Sequence, residues 1–149
     1  RCLYSGVGFS GWKATNGWRS HDWQFRFHGS KDEVDTSLES EELFGDYGFI
    51  FDVRVSDETK PLKFQLRGKD ISAIQVAPDM YKGDLVLKGR NWNRFEGELR
   101  SNHLTLSLNG KKIFDGKKIE GLPVNGPIRI VPTGPVSMAN IYVRPLDKR

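Results

Sequence analysis

A chain of 149 residues, 37% hydrophobic and carrying nine Phe, four Trp and four Tyr, suits one domain and has enough large apolar side chains for a real core. Its formal charge of +4, from 23 Lys and Arg against 19 Asp and Glu, is spread along the chain with acids interrupting the basic residues, which argues against a nucleic-acid binder. The single cysteine, Cys2, excludes an internal disulfide and a thiolate metal site, and no apolar run approaches the roughly 20 residues that span a bilayer as a helix.

In chain order, Gly6 to Gly11 matches the letters of a dinucleotide-binding glycine loop. It lacks the buried strand before it and the helix after it that such a loop needs. Trp23, Phe25 and Phe27 alternate with Gln24 and Arg26, and this period of two predicts a strand with all three rings on the core face. Leu38 to Phe44 is the best helical candidate, one or two turns at most. Phe49, Phe51, Val53 and Val55 alternate with Ile50, Asp52 and Arg54, and Phe64 and Leu66 with Lys63, Gln65 and Arg67. Leu104, Leu106 and Leu108 alternate with Thr105, Ser107 and Asn109, and Ile141 and Val143 with Tyr142 and Arg144. Each pattern is that of a half-buried antiparallel strand.

Turn signals fall between these runs at short spacing, among them Asn16-Gly17, Gly45-Asp46, Asp57 to Pro61, Gly68 to Asp70, Pro78-Asp79 and Asn125 to Pro127. The sharpest is Asn109-Gly110, two residues that tolerate the positive φ of a type I′ hairpin. It predicts a strand over 103–108 joined to a short one over 111–114. About ten short strands without helices leave a closed barrel or two stacked sheets. The long, charged polar faces favour stacking, since a small barrel interior could not hold them. The expectation is an all-β, two-sheet antiparallel jelly-roll sandwich over 1–149, one domain, read as a mature piece or one excised from a longer chain with neighbouring domains.

Five motifs then carry a likeness in register. They are Leu3-Tyr4-Ser5-Gly6 with Phe9-Ser10-Gly11-Trp12, and Phe44-Gly45-Asp46-Tyr47 with Phe49. Trp92-Asn93-Arg94-Phe95-Glu96, Leu104 to Gly110, and Asn140 to Leu146 complete the set. Together, from residue 3 to 146, they resemble the 3-keto-disaccharide hydrolase family. The resemblance implies a concanavalin-like (laminin-G-like) jelly roll with a concave polar face and a carbohydrate or glycoside ligand. It also implies a secreted or periplasmic location, and it allows a divalent metal. In that chemistry a ketone at C3 makes the C2 proton acidic, so a base can remove it and the enolate expels the C1 substituent. An oxyanion stabiliser and a proton donor complete the site.

Two positions depart from the family pattern. Arg67-Gly68 is kept, and Gln75 is kept in the following strand, but Ala73 stands at a Glu position and Thr133 at a His position. The resemblance therefore implies an altered or lost active site, so whether the chain is an enzyme stays open at this point.

Strand parity puts Lys63, Gln65, Arg67, Ala73 and Gln75 on one polar face, a candidate ligand surface in which Arg and Gln suit sugar hydroxyls. The plain alternative is a solvated sheet face with Lys and Arg lying along it. Trp18 and Trp92 sit at strand starts and are the candidate platforms for a sugar ring, whereas Trp12 and Trp23 read as structural. His21 and Asp22 form a candidate acid–base pair, with Asp79, Tyr81 and Asp84 as further polar candidates, and no metal-ligand spacing links His21, His28 and His103. The leading expectation is a glycan- or partner-binding module with a degenerate active site and no cofactor. The alternatives are a working hydrolase or lyase using His21, Asp22 or Asp79, and a structural module of a larger protein.

Overall fold

The computed structural model describes every residue except 5, 7, 15, 29–35, 56–61, 71–73, 77–90 and 148–149, and for 14, 55, 75 and 76 the backbone only. The described residues form twelve strands and no helix. They are β1 (Trp12–Ala14), β2 (Trp18–His21), β3 (Gln24–Phe27), β4 (Leu38–Ser40), β5 (Tyr47–Val55) and β6 (Leu62–Gln65). After these come β7 (Gln75–Val76), β8 (Asn93–Arg100), β9 (His103–Leu108), β10 (Lys111–Lys118), β11 (Arg129–Val131) and β12 (Val136–Pro145). The smaller sheet has five strands in the order β1-β4-β11-β6-β7, and the larger has seven in the order β10-β9-β8-β5-β12-β3-β2. All pairings are antiparallel, and the C-terminal strand lies inside the larger sheet between β5 and β3. The molecule is the jelly-roll sandwich that the alternation predicts.

One apolar face of each sheet meets the other. The larger sheet contributes Phe25, Phe27, Phe49, Phe51, Val53, Phe95, Leu104, Leu106 and Met138, and the smaller one Trp12, Leu38, Leu62, Phe64 and Ile130, all buried. Phe51 and Phe64 stack across the sandwich with ring centroids 4.0 Å apart, and Phe51 also stacks on Phe95 at 5.0 Å. Removing one such ring costs about 3–5 kcal/mol, so a few of these contacts set the stability of the whole domain.

Three local departures from the sequence reading have physical causes. Leu38–Ser40 is strand β4 rather than a helical turn, because it lies between β1 and β11. Ser40 N–H donates to Ile128 O at 2.9 Å and Ile128 N–H donates back to Ser40 Oγ at 2.9 Å. Neighbouring strands thus override a weak local preference. Trp23 is not on the core face. The chain turns at Asp22 and Trp23 with φ of 48° and 60°, so the tryptophan leaves the alternation and is 69% exposed. Its ring lies against Gly6, where a Cβ would collide with it. Finally, β10 runs on to Lys118 rather than stopping at 114, accommodated by two shifts of register against β9.

One end of the sandwich is tied by Arg67. The residue lies just beyond β6 with φ of 50°, next to Gly68 at 67°, and this left-handed pair turns its side chain off the sheet face and into the protein. Its guanidinium donates to Gly45 O at 2.8 Å, Ser101 O at 2.7 Å, Pro123 O at 2.9 Å and Asp46 Oδ1 at 2.7 Å. These four acceptors come from the segments preceding β5, following β8 and preceding β11, so one planar donor fork joins both sheets. The backbone of Gly126 rests against that of Arg67 so closely that any side chain there would collide.

Candidate functional site

On the smaller sheet the same alternation that buries Leu62, Phe64 and Leu66 turns Lys63 and Gln65 outward. In β11 Ile130 goes in and Arg129 out, in β4 Leu38 goes in and Glu39 out, and in β1 Trp12 goes in and Lys13 out. The strand register sets Lys13 beside Glu39, Glu39 beside Arg129, and Arg129 beside Gln65. The result is a polar row crossing four strands of the outer face. Within it Lys13 Nζ lies 3.8 Å from Glu39 Oε1, Arg129 Nε lies 3.7 Å from Glu39 Oε2, and Arg129 Nη2 donates to Ser37 Oγ at 3.2 Å. Lys63, one residue pair along, holds Asp70 Oδ2 at 2.8 Å.

Gln65 is the unusual member of the row. It points away from the core yet is only 8% exposed, and its Oε1 has no donor among the described residues. A buried carbonyl oxygen without a donor costs about 1–3 kcal/mol. Along the row with it stand the Arg129 guanidinium, the Glu39 carboxylate and the Lys13 ammonium, a mixture of donors and acceptors suited to a polyhydroxylated molecule. A divalent cation fits this row poorly. Glu39 is the carboxylate in it and is already held by two cations, and no group of three or more His, Cys, Asp or Glu gathers among the described residues.

The residues that the sequence offered together are dispersed. Lys63 and Gln65 share the expected face, and Gln75 is the register partner of Lys63 on β7, its side chain outside the described residues. Ala73, Asp79, Tyr81 and Asp84 also lie outside the described residues. Arg67 is a correction: it is buried in the structural tie described above, and its fork is committed to backbone carbonyls and Asp46. Trp18 is a second correction. The residue is 7% exposed, its ring packs on Phe25 and Phe27, and its indole N–H donates to Thr36 O at 2.8 Å, so it is core rather than platform. Trp12 is core, as expected, donating to Leu3 O at 2.6 Å.

Trp92 is half-buried on the other side of the sandwich, under the Arg54 guanidinium, whose carbon lies 5.0 Å from the ring centroid. His21 Nδ1 and Asp22 Oδ2 do pair at 2.8 Å, but both are well exposed at the β2–β3 turn of the larger sheet, away from Lys63 and Gln65. Sequence reasoning missed Arg129, Glu39 and Lys13. The signal was present in Ile128-Arg129-Ile130, a three-residue alternation too short to register as a strand.

The outer face of the larger sheet carries its own polar cluster. Arg94 donates through Nε to Asp52 Oδ1 and through Nη2 to Asp52 Oδ2, both at 2.8 Å, and Asn140 Nδ2 donates to Asp52 Oδ2 at 2.6 Å. Burial alone would push the Asp52 carboxyl up, but the hydrogen bonds from Arg94 and Asn140 and the Arg94 charge outweigh it and hold the group below its ordinary value. Beside this cluster a shallow cleft of about 510 Å³ is lined by Ile50, Glu96, Glu98, Tyr142 and Arg144.

No protein-family model matches the sequence, and no curated protein matches it. Solved structures do match the fold. One proposed glycosyl hydrolase from Parabacteroides distasonis shares 16% identity and superposes with a TM-score of 0.76 over 98% of this chain and 98% of that one. Another from the same organism shares 17% identity, with a TM-score of 0.73 over 97% and 93%. The carbohydrate-binding module CBM66 from Bacillus subtilis shares 12% identity, with a TM-score of 0.67 over 90% and 95%. At these identities the likeness establishes that the chain has their jelly-roll fold.

Proposed function

We propose that this chain is a carbohydrate-associated jelly-roll module that binds a glycan across the outer face of its smaller sheet. The observation that carries the reading is Gln65, a nearly buried amide oxygen without a donor among the described residues, set in a row with Arg129, Glu39 and Lys13. The fold it shares with a carbohydrate-binding module and with two proposed glycosyl hydrolases supports the reading by analogy. So do the five motifs that resemble the 3-keto-disaccharide hydrolase family. Within that family the chain is a binding member with a degenerate active site, because a threonine hydroxyl at 133 and a methyl at 73 do not act as a base near neutral pH. It acts outside the cytoplasm, where such glycans are met.

Calorimetric titration with a panel of neutral soluble oligosaccharides, β-glucan, fructan and galactan, tests the reading. At least one binds, and Gln65→Ala and Lys63→Ala each weaken it about tenfold, the loss expected for a hydrogen bond at a desolvated site. No binding by any member, or binding indifferent to both substitutions, overturns it. The His21–Asp22 pair at 2.8 Å favours one rival, a working lyase or hydrolase. Incubation with a 3-keto-disaccharide decides that point: turnover that is lost in His21→Ala replaces the binding-module reading with an enzymatic one.

A further inference from the structure

We infer that the opposite face, the outer surface of the larger sheet, is a second binding surface, specific for an anionic glycan bearing carboxylate or sulfate groups. Strand register places Arg19 on β2 directly beside Arg26 on β3, Arg26 beside Ser137 on β12, and Ser137 beside Arg54 on β5. Arg54 then reaches over the ring of Trp92, its guanidinium carbon 5.0 Å from the centroid. One row thus crosses four adjacent strands, about 14 Å at the usual spacing between strands, and ends on Trp92 just ahead of β8. Arg19 is exposed, and Arg26, Ser137, Arg54 and Trp92 are half-buried, so the row is accessible along its length.

The row holds three cations and no acid. Among the described residues none of Arg19, Arg26 and Arg54 has a carboxylate partner, and Arg26 Nε makes only a 3.3 Å bond to Gln24 Oε1. The carboxylates nearest in the sheet are taken: Asp52 by Arg94 and Asn140, and Asp22 by His21. Like charges directly opposite on neighbouring strands destabilise a sheet, so Arg19 beside Arg26 is a cost that a bound anion removes. Guanidinium forks match carboxylate and sulfate bidentately. Ser137 is a small side chain between Arg26 and Arg54, and the half-buried Trp92, with Arg54 over its ring, ends the row. Nucleic-acid affinity grows with the number of phosphates neutralised and counterions released, and three arginines supply few such contacts. An acidic polysaccharide, with charges spaced along a chain of sugars, matches three charges in a row.

The inference stands on different residues from the reading of the smaller sheet, and its test separates the two. The intact protein is titrated at low salt with oligogalacturonate and its methyl ester, with sulfated and plain dextran oligosaccharides, and with a short duplex DNA. An acidic oligosaccharide binds at least about tenfold more tightly than its neutral match, and added salt weakens it. Oligogalacturonate against sulfated dextran identifies the anion. Arg26→Gln and Arg54→Gln each reduce that affinity about tenfold, whereas Lys63→Ala and Gln65→Ala leave it unchanged. Arg19→Gln melts no lower than the parent protein without ligand, because a repulsion is relieved, but gains less from the acidic oligosaccharide. Equal binding of acidic and neutral oligosaccharides, no binding of either acid, unchanged affinity in both arginine variants, or DNA bound as tightly as the acids would each overturn the inference.

Discussion

Arg67 shows how one residue can follow the pattern of its strand and still leave the face that pattern assigns. Parity puts it with Lys63 and Gln65, but its backbone turns left-handed immediately after β6, and its side chain, 2% exposed, is drawn to four acceptors. The sequence trace of this turn was Gly68, whose φ of 67° continues it. Reading Arg67-Gly68 as a turn rather than as a strand end would have found it. Arg67→Ala takes the guanidinium donor from three carbonyls and leaves Asp46 only the Ser101 N–H at 2.8 Å, and it lowers stability by about 3–5 kcal/mol, measured by urea unfolding. Arg67→Lys recovers little, since one ammonium cannot span four acceptors. A loss under about 1 kcal/mol in the alanine variant would show that the tie is dispensable.

Asp52 makes a second residue-scale prediction. Its folded value lies below the ordinary 3.8, so its contribution is present in full above that pH and is lost as pH falls through the lower folded value. Asp52→Asn therefore costs about 1–2 kcal/mol at pH 7, given the half-exposed Arg94, and the gap between variant and parent narrows as pH falls below 3.8 and through the lower folded value. A gap that does not narrow at any pH below 3.8 at which the parent stays folded would rule out the charged pair as its source.

At the scale of elements, legibility followed length and turn chemistry. β5, β9 and β12, with six to ten residues each, show alternation long enough to read, and the β9–β10 hairpin was visible in Asn109-Gly110. The structure gives these two residues φ of 49° and 80°, as a type I′ turn requires. The smaller sheet was much less legible. Its strands have two to four residues, and β4 and β11 hold their shape through neighbours rather than through any pattern of their own. The candidate binding row crosses those short strands, so only Gln65 among its four members was read. Gly110→Ala costs about 1 kcal/mol, because alanine resists positive φ. Asn109→Gly is more informative. Glycine keeps the turn, but Asn109 Oδ1 also accepts from Arg94 N–H at 2.9 Å and its Nδ2 donates to Asn93 Oδ1 at 3.0 Å. A loss of about 1–2 kcal/mol in thermal melting would come from those bonds, and no loss would mean that the turn alone matters.

At the scale of the molecule, two sheets with unlike outer faces share one interior. Their inner faces form a single cluster in which Phe51 and Phe64 stack across the gap, and Arg67 closes one end by bonding segments from both. Neither sheet has a hydrophobic interior of its own, so neither can keep its shape when the other melts. Unfolding is therefore one cooperative event. The tryptophans supply probes: Trp12 lies in the smaller sheet and Trp18 in the larger, and both are buried, so the fluorescence of each follows its local packing. A variant retaining only Trp12 and a variant retaining only Trp18 each report a urea transition by fluorescence, to be set against the same variant's circular dichroism. Within each variant the two transitions coincide in midpoint and slope. A Trp18 signal that outlasts the loss of strand signal, or a Trp12 signal that precedes it, would show the larger sheet surviving alone and would make the two outer faces parts of separable units rather than two sides of one body.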